Sequence, residues 1–106
     1  MADDQIENLK LPPHSVEAEQ SLLGGLLIDN EALDKIADIV SAVDFYRHDH
    51  QLIFQHIVKV VESNQPADII TVGESLDKNA ELATVGGLSY LGLLSENTPT
   101  SANIRG

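Results

Sequence analysis

Apolar residues recur at helical spacing along most of the chain. From 16 to 28, Val16, Leu23 and Leu27 share one face, and Leu22, Leu26 and Ile28 widen it until the second half has scarcely a polar side. A helix patterned in this way must be buried on several sides. Leu33, Ile36, Ala37 and Val40 fall at i, i+3, i+4 and i+7, which predicts a second helix over Glu31–Val40 with Asn30 as its cap. Between His48 and Ser63, Ile53, Phe54, Ile57, Val58 and Val61 form an apolar stripe, with Gln51, Gln55, Lys59 and Glu62 facing away. The stripe repeats at three and four and not at two, so its β-branched residues do not make it a strand. Asp68 caps a fourth helix with Ile69, Val72, Gly73 and Leu76 inward, fading near Asp77 to Asn79.

Turn formers and caps set the limits of these elements. Pro12 and Pro13 close the leading segment, because proline lacks an N–H and clashes with a preceding helical turn. Ser15 then caps the first helix, and Glu17 and Glu19 place negative charge near the positive end of its dipole. Gly24 and Gly25 each cost about 1 kcal/mol in a helix interior, a cost offset where another backbone comes close. These two residues are therefore expected to mark a helix crossing. Ser41 to Arg47 is a connector, anchored to the core by Phe45 and Tyr46. A short helix over Glu81–Val85 is stopped by Gly86-Gly87, and another follows over Leu88–Ser95. Residues 101–105 read as the first turn of a further helix, cut short. The pattern predicts an all-α fold, a compact orthogonal bundle of about six helices. Residues 1–11 form a flexible acidic lead-in, 12–96 the helical domain, and 97–106 the start of a truncated linker helix.

Composition narrows the function. At 106 residues the chain is one domain able to bury a core without staples, and it holds no cysteine. The segment from Met1 to Leu11 lacks an apolar signal region, and no apolar run is long enough to span a bilayer. The chain reads as soluble and cytoplasmic. Seventeen acids against six bases give a formal charge of -11, with the bases scattered singly. Such a surface repels a phosphate backbone, and the few aromatic residues offer no stacking platform, so direct nucleic-acid binding is not expected.

Candidate chemistry is sparse. His48, Asp49 and His50 have metal-ligand side chains, with His56 on the same helix, but i and i+2 neighbours point away from each other on a helix. A solvated helix start accounts for them, and no metal or other cofactor is expected. His14 beside Pro13 reads as a surface residue. The carboxylate pairs Glu17/Glu19 and Asp34/Asp38 have no positioned base or oxyanion donor nearby. No catalytic residue is assigned and this chain is not expected to be an enzyme. Leu88, Tyr90, Leu91, Leu93 and Leu94 supply more apolar surface than a short terminal helix needs for one neighbour, so part of it is expected to face another chain.

Five ordered motifs carry a family likeness: PPHSVEAEQSLLGG at 12–25, DFY at 44–46, QPADIITV at 65–72, VGGLSYL at 85–91 and NTPTSANI at 97–104. In order and spacing they resemble the N-terminal domain of the DnaB family of bacterial replicative DNA helicases, over nearly the whole chain after Lys10. The resemblance implies a collar domain of a homohexameric ring, pairing through a helical hairpin and engaging primase. ATP hydrolysis, with ATP and magnesium as cofactors, belongs in that family to a separate motor of which this chain carries no Walker motif. Leu88, Tyr90, Leu91 and Leu94 are the residues expected to mediate self-association. With the second hairpin arm missing, this chain is expected to be a monomer or a weak dimer. The competing expectation is a free-standing acidic helical adaptor.

Overall fold

A computed structural model describes residues 15–97. Among them are five α-helices, α1 (Val16–Ile28), α2 (Glu31–Ile36), α3 (His48–Glu62), α4 (Ile69–Lys78) and α5 (Gly87–Asn97), with a 3-10 turn at Ala42–Asp44 and no strand. The all-α expectation is met. The lead-in at 1–11 and the truncated turn at 101–105 lie outside the described residues.

Four helices close a ring in which α1 packs on α5, α5 on α4, α4 on α3 and α3 back on α1, while α2 rests on α1. Leu23 and Leu26 of α1, Ile53 and Ile57 of α3, Val72 and Leu76 of α4, and Leu91 and Leu94 of α5 fill its centre, all but completely removed from solvent. Each such side chain contributes about 1.5–3 kcal/mol by leaving water. The most extensive packing is that of α1 on α5, as the apolar girth of α1 requires. Ile28, at the end of that helix, faces outward instead.

Local chemistry sets the helix ends. Ser15 Oγ accepts from the Ala18 N–H at 3.3 Å, a simple cap. Asp68 Oδ1 accepts from the Ile70 and Thr71 N–H groups, both at 2.9 Å, and Thr71 Oγ1 accepts from the Asp68 N–H in return. Asn30 makes no side-chain cap on α2, contrary to expectation. Its amide donates to the carbonyls of Leu26 and Ala67, and its Oδ1 accepts from the Ala67 N–H. It thereby ties the end of α1 to the loop before α4. The second helix is shorter than its periodicity suggests: the Ile36 carbonyl accepts from both Ile39 and Val40, tightening the chain into turns. Asp44 then captures the Ser41 N–H at 2.8 Å and opens the 3-10 turn.

Two further expectations are corrected. Phe45 is buried against Phe54, but Tyr46 points outward and is 61% exposed. Glu81–Val85 is a series of turns and not a helix, because the Leu82 carbonyl accepts from both Val85 and Gly87. Gly86 and Gly87 close it with φ of 99° and 74°, the left-handed conformation foreseen for this pair.

These glycines generate a test. A Cβ on Gly86 would combine positive φ with a 2.9 Å approach to Tyr90 Cβ, whereas one on Gly92 in α5 meets nothing within 4 Å. In urea unfolding, Gly86→Ala is expected to cost about 1–2 kcal/mol or more, and Gly92→Ala to be neutral or to gain up to about 1 kcal/mol. Equal midpoints for the two variants would contradict this account.

Candidate functional site

The polar side chains that the helices bring together lie mostly inside the ring. Glu19 shares the inward face of α1 with Leu23 and Leu26 and is wholly buried. Its Oε2 accepts from the Tyr46 N–H at 2.5 Å and its Oε1 from the Arg47 N–H at 3.5 Å, so the carboxylate receives the connector just before α3. Glu19 Oε1 also lies 2.7 Å from His50 Nδ1. The facing carboxylate requires that Nδ1 carry a proton and donate. His50 Nε2 lies 2.6 Å from the Tyr90 hydroxyl on α5, which accepts in addition from Gln20 Nε2 at 3.1 Å. With neutral His50, the Tyr90 O–H donates to Nε2 and every group has a partner. This chain of bonds links α1, the connector, α3 and α5.

Outside it, Arg47 meets Asp49 through two hydrogen bonds, Nε to Oδ1 and Nη2 to Oδ2. Its hydrogen bonds to Asp49 hold the guanidinium pKa above its ordinary value, and the cation sits 5.9 Å over the Tyr90 ring.

A second buried histidine faces α4. His56 Nδ1 lies 2.7 Å from Ser75 Oγ and its Nε2 2.8 Å from Glu81 Oε1. Glu81 fixes the tautomer from the loop after α4, so a serine, a histidine and a carboxylate stand in line. Ser75 also lines a cavity of about 220 Å³ that it shares with Lys59 and Lys78, and the three bonded side chains join α3 to α4.

The sequence expectations fare unevenly against this geometry. His48 is solvent-exposed as expected, but His50 is a core histidine, and Glu19 is a buried acceptor more than a dipole charge. Both residues fall in register with apolar positions: Glu19 with Leu23 and Leu26, His50 with Ile53, Phe54 and Ile57. That register was the available signal. Among the described residues no group of three or more histidines and carboxylates is placed to hold a metal ion. Asp34 on α2 and Asp38 in the turn after it are both exposed.

Of the four residues expected to mediate self-association, Leu91 and Leu94 are core residues of this chain, 0% and 1% exposed, and cannot also be surface in this conformation. Tyr90 is half-buried and bonded to His50. Leu88, 46% exposed, and Leu93, not among the four, remain outward on α5. Gly24 is buried and Gly25 half-buried on α1. Beside Leu88 a groove of about 250 Å³ opens between α4 and α5, lined by Ile70, Gly73, Glu74, Asp77, Leu82 and Leu88. The described surface thus offers apolar contact area at Leu88 and Leu93.

The sequence profile of the DnaB-like helicase N terminal domain matches residues 11–106. The replicative DNA helicase DnaB of Buchnera aphidicola subsp. Acyrthosiphon pisum is 52% identical over 98 residues, covering 92% of this chain. That of Geobacillus stearothermophilus is 40% identical over 95 residues, covering 90% of this chain. In both cases the chain spans 21% of the relative's own length. The crystal structure of the N-terminal domain of DnaB helicase from Mycobacterium tuberculosis has a TM-score of 0.81 to this fold at 38% identity. It covers 88% of this chain and 66% of the other.

The buried network makes a graded prediction. Glu19→Ala leaves two backbone N–H groups and His50 without their acceptor and is expected to cost about 3–5 kcal/mol in urea unfolding. Tyr90→Phe, which removes one hydroxyl between His50 and Gln20, is expected to cost about 1–3 kcal/mol. A Glu19→Ala midpoint no lower than that of Tyr90→Phe would remove the carboxylate from the centre of the fold.

Proposed function

Because this chain belongs to the family of DnaB-like helicase N-terminal domains, we propose that it is the assembly and primase-docking domain of a hexameric, ATP-dependent replicative DNA helicase. ATP and magnesium are then cofactors of a motor outside this chain, and this domain contributes contacts and not catalysis. The observation that carries the reading is the family match over 11–106 on a domain whose polar clusters are internal joints and whose outward features are apolar contacts and negative charge. A formal charge of -11 favours a basic protein partner over DNA. Among the described residues no helix is long and apolar enough to cross a membrane.

For self-association we assign Leu93, on the outward side of α5, in place of Leu88, which lines the groove, and of Leu91 and Leu94, which the core takes up. Gly24 and Gly25 are assigned to the close approach between α1 and its neighbours. Gly24→Ala is expected to lower stability by about 1–3 kcal/mol, and an unchanged unfolding midpoint removes the assignment.

Sedimentation velocity, with a titration of the helicase-binding domain of a cognate primase, tests the main reading. The chain is expected to sediment as a monomer or weak dimer and to bind the primase domain either alone or when extended by the following helix. A stable hexamer from this chain would overturn the first half. Absence of primase binding by both lengths would overturn the second.

A further inference from the structure

The groove between α4 and α5 combines two features that rarely coincide on a stable domain without a reason. Its walls are large apolar side chains left in water: Ile70 is 59% exposed and Leu88 46%, with Leu82 half-buried between them. Its charged lining is entirely acidic, Glu74 and Asp77 standing three residues apart on one side of α4. Neither carboxylate makes an ion pair or a side-chain hydrogen bond among the described residues. The volume, about 250 Å³, is below the range of small-molecule pockets and suits one or two apolar side chains of a protein segment. The floor is Gly73, where a Cβ would lie 2.4 Å from Leu88 Cδ2, so the groove has its present shape because α4 carries no side chain there.

We propose that this groove receives a basic amphipathic helix of a partner protein, which seats a leucine-like anchor between Ile70 and Leu88 and sets lysine or arginine against Glu74 and Asp77. The inference deepens the partner-docking half of the proposed function and rests on it. A second copy of this chain is a poor occupant, because it would bring another molecule of formal charge -11 against an acidic rim. The two exposed leucines of α5 are five residues apart and so lie roughly 140° apart around the helix. Leu88 therefore serves the groove, while Leu93 is left for contacts elsewhere. The larger groove lined by Ala37, Val40, Phe54 and Val58 carries a single carboxylate, Glu62, and makes a weaker claim. Affinity comes from the anchor, which is desolvated on seating. The exposed carboxylates set orientation and association rate and are screened by salt.

The probe is a designed 14-residue helical peptide with leucines at i, i+3 and i+7 flanked by lysines, together with a twin in which every lysine is glutamate. Binding is read by chemical-shift changes and by fluorescence anisotropy. The lysine peptide is expected to shift resonances of Ile70, Leu82 and Leu88 and to bind at least about tenfold more tightly than its twin, weakening as salt is raised. Glu74→Lys with Asp77→Lys is expected to slow association. Ile70→Ser is expected to weaken binding by about tenfold or more, whereas Val43→Asp, on an exposed residue outside the groove, leaves it unchanged. Gly73→Ala, folded by circular dichroism, is expected to weaken binding by displacing Leu88. Binding that is indifferent to Ile70→Ser and to the double lysine variant overturns the inference, as does a shift map centred elsewhere. Self-association abolished by those same variants overturns it in favour of a second copy. A cognate primase domain that binds the double lysine variant and Ile70→Ser as well as the unaltered chain sinks the groove and leaves the docking reading standing. A lysine peptide seated in the groove beside a primase domain that binds nothing does the reverse.

Discussion

The carboxylate of Glu19 is the constraint on which the arrangement of helices depends. A charge at the centre of a small bundle is tolerated only where donors surround it. Here there are three donors from two elements: the backbone N–H groups of Tyr46 and Arg47 in the connector and the imidazole of His50 on α3. Meeting that demand fixes where the connector turns into α3, and so sets the phase at which α3 enters the core. The requirement then passes through His50 to Tyr90 and fixes the rotation of α5 about its axis. Apolar packing supplies most of the favourable energy, yet leucines and isoleucines tolerate many arrangements. A chain of hydrogen bonds tolerates few.

Much of the architecture was legible as periodicity. The stripes of α1, α3 and α4 located three helices of the ring, Ser15 and Asp68 marked two of their starts, and Gly86-Gly87 marked the turn before α5. The misreadings share a physical cause. Asn30, Glu19 and His50 were read from local chemistry, as a cap, a dipole charge and a solvated helix start, while their partners lie far along the chain at Ala67, Tyr46 and Tyr90. Sequence spacing cannot announce a partner tens of residues away. What it does offer is register: a polar residue in phase with an apolar stripe must be buried, and then must be bonded. The early turns after Ile36 and the turns before Gly86 have a different origin, in carbonyls that accept two nearby N–H groups at once.

The surface was less legible than the core. The sequence shows an apolar excess on α5, but which leucines are spare depends on how α1 and α4 pack against it. Leu91 and Leu94 are consumed by the ring, and Leu88 and Leu93 are left over. The same holds for Ile70, an inconspicuous second residue of α4 until Leu88 arrives beside it.

Helix α5 thus has an interior role and an exterior one, and the two are mechanically joined. Its inward face is fixed by Tyr90 to His50 and by Leu91 and Leu94 to the core. Its outward residues can move only as a body with that face or by side-chain rotation. A partner that contacts Leu88 or Leu93 consequently meets a surface already organised, and loses little entropy in ordering it. Loosening Tyr90 would free α5 to shift and blur both surfaces together. By holding one helix at one angle, the internal network keeps the outward residues of α5 in a constant geometry.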